Sequence, residues 1–140
     1  NGSLAAFVAT AYMGGIPLIY NGQEVGCPVK LPFFSKSPID WKTNPDMLKT
    51  YKKLIAIRLS NAALRNGSLE QFAHNDIVSF RRKSGTNEVF VLVNTRSTNK
   101  SLTLPTVIQN SAWKDAISNE NVTLGTSLDL KGYEYRVLVK

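Results

Sequence analysis

Residues 14–24 read GGIPLIYNGQE, and the fold turns on how this stretch is read. Two glycines end an apolar run, Ile16 to Tyr20 are apolar throughout, and the run stops at a polar, Gly-containing corner that carries Glu24. A short segment apolar on both faces suits a parallel strand covered from both sides, not a half-exposed antiparallel one. Upstream, Leu4 to Met13 is rich in Ala, Leu and Met and reads as the last turns of a helix, ended by Gly14 or Gly15. Ser3 as an N-cap would instead make that helix short but complete. Helix, glycine turn and buried strand form the αβ half of a βαβ unit. A lone parallel strand cannot satisfy its own ladder, so the segment calls for neighbours that the preceding residues do not supply.

Residues 21–42, NGQEVGCPVKLPFFSKSPIDWK, read as a long polar loop with apolar anchors at Phe33, Phe34, Ile39 and Trp41. Loops of this length in compact folds are often functional. A helix is then expected from Pro45 to Leu64, with Thr43 or Asn44 as its cap, Asp46 suited to the dipole and Gly67 beyond its end. Leu48, Tyr51, Ile55, Leu59 and Ala62 fall on one stripe with Leu54 beside it, while Lys49, Lys52 and Lys53 lie outside it. From Ser68 onward the period changes to two, with turns between short segments. Val78 and Phe80 alternate with polar neighbours, EVFVLVN (88–94) is apolar on both faces and therefore central, and Tyr133, Tyr135, Val137 and Val139 share a face. Further short strands are expected around Leu102, at Trp113 to Ile117, at Val122 to Leu124 and at Leu128 to Leu130. Six to eight such strands predict an antiparallel sandwich, with a boundary near Leu64 to Ser68.

Composition narrows the classes. With 140 residues, 43% hydrophobic and 19% charged, the chain is globular and has no low-complexity tract. The net charge of +7 comes from 17 Lys and Arg against 10 Asp and Glu, but the bases are scattered and read as a solvated surface. No nucleic-acid-binding motif accompanies them, and strong salt dependence of binding would be needed to revive that reading. The single cysteine, Cys27, allows neither an intramolecular disulfide nor a Cys-based zinc site. Residues 4–20 carry no charge, yet Gly14, Gly15 and Pro17 interrupt them, so no membrane span or signal peptide is expected there. Asn-X-Ser/Thr sequons occur at Asn1, Asn66, Asn99 and Asn121. They matter only in a eukaryotic secretory host.

Taken together, GIPLIYNGQE, the long loop with PIDW (38–41), the helix ending LIAIRLSNAALRNG (54–67) and the β-rich remainder resemble the C-terminal end of an alpha-amylase-family enzyme, glycoside hydrolase family 13. The spacing of Gly15, Pro17, Tyr20, Gly22 and Glu24 is the most specific part. The form of NGQEVG with PIDW is most similar to bacterial members of neopullulanase-like or SusG-like type. The resemblance implies an α+β fragment: the last strand and helices of a (β/α)8 barrel, followed by an antiparallel Greek-key β-sandwich. Residues 1–66 would be the barrel remnant, comprising the end of helix 7, strand 8, a loop and helix 8. Residues 67–140 would be the all-β domain. The catalytic mouth of such a barrel lies at the C-terminal ends of its strands, where Asn21 to Glu24 would sit.

Retaining glycoside hydrolysis needs two carboxyl groups about 5–5.5 Å apart. In the family these come from barrel strands outside this chain. The only histidine, His74, lies in AHND, which does not match the family's Asn-His-Asp stretch. No catalytic residue, metal ligand or cofactor is therefore assigned, and the chain alone is expected to be inactive. The resemblance places Tyr20, Asn21, Glu24 and Trp41 at the rim of a substrate cleft for α-glucans such as starch and maltodextrins. Three of them also have a plainer structural reading: Glu24 pins the corner, Tyr20 belongs to the core and Trp41 anchors the loop. The expected partners are α-glucan and the rest of the barrel, and if the barrel is missing either self-association through residues 4–65 or refolding of that segment against the β-domain. A periplasmic or extracellular location is expected over a cytoplasmic one. The alternative, from a different class, is a non-catalytic carbohydrate-binding β-sandwich, which would need exposed coplanar aromatic rings on one face.

Overall fold

The computed structural model describes residues 2–140; the Asn1 sequon lies outside them, while Asn66, Asn99 and Asn121 are exposed. Three helices come first: α1 (Gly2–Tyr12), α2 (Pro45–Ser60) and α3 (Ala62–Asn66). Eight strands follow: β1 (Ser68–Phe72), β2 (Ile77–Ser84), β3 (Asn87–Asn94), β4 (Lys100–Thr103), β5 (Ala112–Asp115), β6 (Asn121–Thr123), β7 (Ser127–Leu130) and β8 (Tyr135–Val139). Among the described residues no helix is long and apolar enough to cross a membrane.

The strands form a six-stranded antiparallel sheet in the order β1-β2-β3-β8-β5-β6, and β4 pairs with β7 as a separate layer. Alternation along the central strands splits the core in two. Val89, Val91, Val93, Phe80 and Val137 face the helices and pack with Phe7, Val8, Tyr12, Tyr51, Leu54 and Leu64. Phe90, Leu92, Ile77 and Leu138 point the other way, onto Leu102 and Leu130 of the two-stranded layer, onto Leu104 just past β4 and onto Trp113. β3 is buried on both faces, as its unbroken apolar run predicts. Each large side chain buried this fully contributes about 1.5–3 kcal/mol, against about 0–1 kcal/mol for a surface ion pair. The two cores, not the surface charge pattern, therefore hold the sandwich.

Several expectations are corrected. Ile16 to Tyr20 is extended but belongs to no ladder, and Ile16 and Leu18 are 93% and 78% exposed. A strand needs a neighbour to take up its N–H and C=O groups, and none of the described residues provides one. Ser3 lies inside α1, not at its cap. The expected helix from Pro45 to Leu64 is broken at Asn61, whose extended backbone ends α2 and whose Oδ1 accepts from the Ala63 and Leu64 amides to start α3. The buried stripe of α2 runs through Tyr51 and Leu54, while Leu59 is 58% exposed. Strand β5 stops at Asp115 because that carboxylate accepts from the Ile117 and Ser118 amides and turns the chain. Tyr133 lies outside β8, in a left-handed turn at φ 58°.

The reading of the basic residues as a solvated surface also fails at one position. Arg82 is 5% exposed. It shares the helix-facing side of β2 with Val78 and Phe80, and it donates from Nε to the Ala63 carbonyl at 3.2 Å and from Nη1 to the Met13 carbonyl at 2.6 Å. Arg58 on α2 donates to the Ala11 and Gly15 carbonyls at 3.0 and 2.8 Å. Two guanidinium groups thus cap the C-terminal end of α1, where the helix dipole favours positive charge. Burial, then the neighbouring Arg58, holds the Arg82 pKa below its usual value. Replacing Arg82 with Met should lower stability by roughly 2–4 kcal/mol, because two carbonyls lose a charged donor; urea unfolding measures it.

At the other end of the sandwich, Asp76 accepts from Lys100 Nζ at 2.8 Å and from Arg96 Nε at 2.7 Å. These hydrogen bonds, Lys100 first, hold its carboxyl below the ordinary range. A depressed folded-state pKa gives stability that is complete above the unfolded-state value, about 4, and is lost as pH falls through the folded one. Thermal melts over an acidic pH series should show stability falling below about pH 4, and Asp76→Asn should lessen that fall.

Candidate functional site

The corner after the extended segment is built from backbone geometry. Gln23 to Val25 form one short 3-10 turn, flanked by Gly22 at φ 84° and Gly26 at φ 63°. Both angles lie in the left-handed region that residues with a Cβ rarely adopt. Space is tight as well: a Cβ on Gly26 would lie 2.8 Å from the Met47 sulfur, and one on Gly22 would lie 3.0 Å from Cys27 Cβ. The turn closes through the Gln23 amide to the Tyr20 carbonyl at 2.9 Å and the Cys27 amide to the Gly22 carbonyl at 3.0 Å.

Side chains then tie the corner to the helices. Gln23 Oε1 accepts from the Tyr20 amide at 3.1 Å, and its Nε2 donates to the hydroxyl of buried Tyr51 at 2.9 Å. The Tyr51 ring packs edge-on against Phe7 of α1, 4.9 Å between centroids. Nearby, the Tyr12 hydroxyl donates to the Leu54 carbonyl at 2.8 Å, and burial pushes that phenol's pKa up. Asn44 caps α2 by accepting from the Met47 amide at 2.9 Å, so the loop re-enters the helix next to the glycine corner.

Of the rim residues expected from the sequence, Tyr20 and Asn21 line one cleft of about 470 Å³, with Gln23, Cys27, Val29 and Phe33. Tyr20 is 56% exposed. Glu24 and Trp41 are not in that lining. Glu24 is half-buried, and its Oε2 is enclosed without a hydrogen-bond partner among the described residues. Trp41 is 52% exposed, and Phe33 and Phe34 are almost wholly so. The expected loop anchors are thus corrected: only Ile39 is half-buried, against Gly22, while Phe33 and Phe34 face each other at 6.4 Å between centroids and reach no core, and Trp41 stays half-exposed. His74 is exposed, and its Nδ1 accepts from the Asp76 and Ile77 amides in a turn. Among the described residues no group of three or more His, Cys, Asp or Glu side chains is arranged to hold a metal ion.

Gln23 and Tyr51 as a pair were not singled out by the sequence reading, although Tyr51 lay on the expected helix stripe. Nothing local announces a bond that spans 28 positions. If this bond fixes the corner, Tyr51→Phe and Gln23→Ala should each destabilise the chain, and a double-mutant cycle should return a coupling of about 0.5–1.5 kcal/mol by urea unfolding.

No family model matches the chain. Alpha-amylase 2 of Dictyoglomus thermophilum is 28% identical over 123 residues, which is 79% of this chain and 21% of that protein. A cyclomaltodextrin glucanotransferase of Niallia circulans is 32% identical over 133 residues, covering 84% of this chain and 18% of its own length. Among solved structures, AmyP E221Q in complex with maltotriose superimposes with a TM-score of 0.78 at 16% identity, over 98% of this chain and 34% of that one. The chain spans about a fifth of the length of the curated relatives it matches.

Proposed function

We infer that this chain, which corresponds to the C-terminal region of alpha-amylase-family (glycoside hydrolase family 13) proteins, closes and shields the catalytic barrel of an enzyme acting on α-glucans such as starch and maltodextrins. The observation that carries this reading is the extended segment Ile16 to Tyr20, which has no ladder, exposes Ile16, Leu18 and Tyr20, and leads into a rigid glycine corner. An exposed apolar strand is a liability unless other strands flank it. In the intact protein it would be the eighth strand of the barrel, covered on both sides by residues outside this chain.

On this reading residues 1–66 are the end of the barrel and residues 67–140 the all-β domain that covers its helices. Tyr20, Asn21, Glu24 and Trp41 form part of the rim of the sugar cleft at the C-terminal ends of the strands. The enclosed, unpartnered Glu24 oxygen supports a donor from another barrel segment, since a buried carboxylate oxygen without a partner is costly. The two catalytic carboxylates belong to other strands, so this chain alone has no hydrolytic activity. Isolated, it associates with itself through residues 4–65. The relatives named for amylase and glucanotransferase activities, and the neighbour solved with maltotriose, support α-glucans as the substrate class.

The test is soluble-starch hydrolysis by the protein that contains this segment and by the 140-residue chain. The longer protein should release reducing ends and the chain should not. Hydrolysis by the chain alone, or inactivity of the longer protein on every α-glucan tried, would overturn the reading.

A further inference from the structure

The net charge is not spread evenly over the chain. Residues 1–66 hold eight Lys and Arg against three Asp and Glu, so the helical part carries +5 of the +7. Few of these cations are neutralised. Of the six lysines from Lys30 to Lys53, only Lys49 pairs with a carboxylate among the described residues, that of exposed Asp46 at 3.4 Å. From Val25 to Ile39 the sequence has no acidic residue, while Lys30 and Lys36 are both exposed.

Between those two lysines stand Phe33 and Phe34, whose rings are almost wholly exposed, with exposed Val29 at the start of the same loop. Apolar groups left in water are unfavourable, and an exposed apolar patch rimmed by polar groups marks an interaction surface. The geometry of the pair narrows what can meet it. The two ring centroids are 6.4 Å apart and their planes are inclined at 55°. Rings tilted in this way share no flat face and form no parallel slot, so they suit neither a pyranose laid across both nor a nucleobase held between them.

An acyl-chain environment imposes no such orientation. It requires only that apolar side chains enter the boundary layer while cations stay level with the lipid phosphates. Lys30 precedes Phe33 and Lys36 follows Phe34 closely enough for their long stems to do this while the rings point inward.

We propose that the loop from Val29 to Lys36 docks on an anionic membrane surface, with Phe33 and Phe34 inserted at the headgroup boundary and Lys30 and Lys36 on lipid phosphates. The unpaired Lys42, Lys52 and Lys53 add attraction over distances up to a Debye length. The docking is peripheral, since no described helix is long and apolar enough to cross a membrane. It rests on the loop and not on the substrate class proposed above, so membrane binding and starch hydrolysis are tested independently.

The experiment is vesicle flotation, in which bound protein rises and aggregates sink. The 140-residue chain and the longer protein that contains it are each mixed with vesicles of phosphatidylglycerol and phosphatidylcholine, and with vesicles of phosphatidylcholine alone. Both should float with the anionic vesicles only, and flotation should fall as salt is raised. Phe33→Ser combined with Phe34→Ser should abolish it. Lys30→Gln combined with Lys36→Gln should weaken it by roughly twentyfold to thirtyfold, at about fivefold per lysine. All four side chains are exposed, so neither variant should change the melting temperature, and lost binding is then not lost folding. Failure to float, or equal flotation by parent and variants, would overturn the docking. Flotation of the chain but not of the longer protein would overturn it as well, and would assign the loop to a contact inside that protein. Binding of single-stranded DNA without flotation would overturn it in favour of a nucleic acid.

Discussion

The packing of the helices on the sandwich rests on the buried guanidinium of Arg82. From the helix-facing side of β2 it reaches the Met13 carbonyl at the end of α1 and the Ala63 carbonyl in α3. A charge placed there without hydrogen-bond acceptors would be strongly unfavourable. With acceptors at both ends it converts a cost into a geometric constraint, because the fork of N–H groups fixes the relative position of three elements. Arg58 adds a second clamp on the last turn of α1. The apolar core supplies most of the free energy, and the two arginines specify how the layers sit.

That constraint extends to the corner after Tyr20. Once α1 is held on the sheet, Phe7 holds the Tyr51 ring, and the Tyr51 hydroxyl accepts from Gln23. The corner is therefore positioned by packed helices, although the segment before it has no strand partner among the described residues and only Ile19 of it packs on the helix-side core. Local geometry persists where its hydrogen-bond partners lie among the described residues, as in the glycine corner, and no ladder forms where they do not.

The β-domain shows the same division on a smaller scale. Where the ladder is continuous, as between β2 and β3, burial follows alternation along the strand. Where β5 leaves β8 early, the gap fills with a strained tyrosine turn and paired charges.

By itself the sequence determined whatever depends on neighbours within a few positions. The helix start at Asn44 and Pro45, the glycine stop after α1, the centrality of EVFVLVN and the change from helix to strand near Gly67 are all legible in it. Arg82 shares a face of β2 with Val78 and Phe80, but the reading of the bases as a solvated surface does not single it out. Tertiary structure alone decided the rest. Whether Ile16 to Tyr20 becomes a strand depends on a partner strand, not on its own residues. Asn61 interrupts the helix because the chain must turn onto the sheet, and the Gln23–Tyr51 bond joins residues far apart in the chain. Hydrogen bonds and packing between distant residues leave no period in a sequence, so only the folded chain shows which of its polar groups meet.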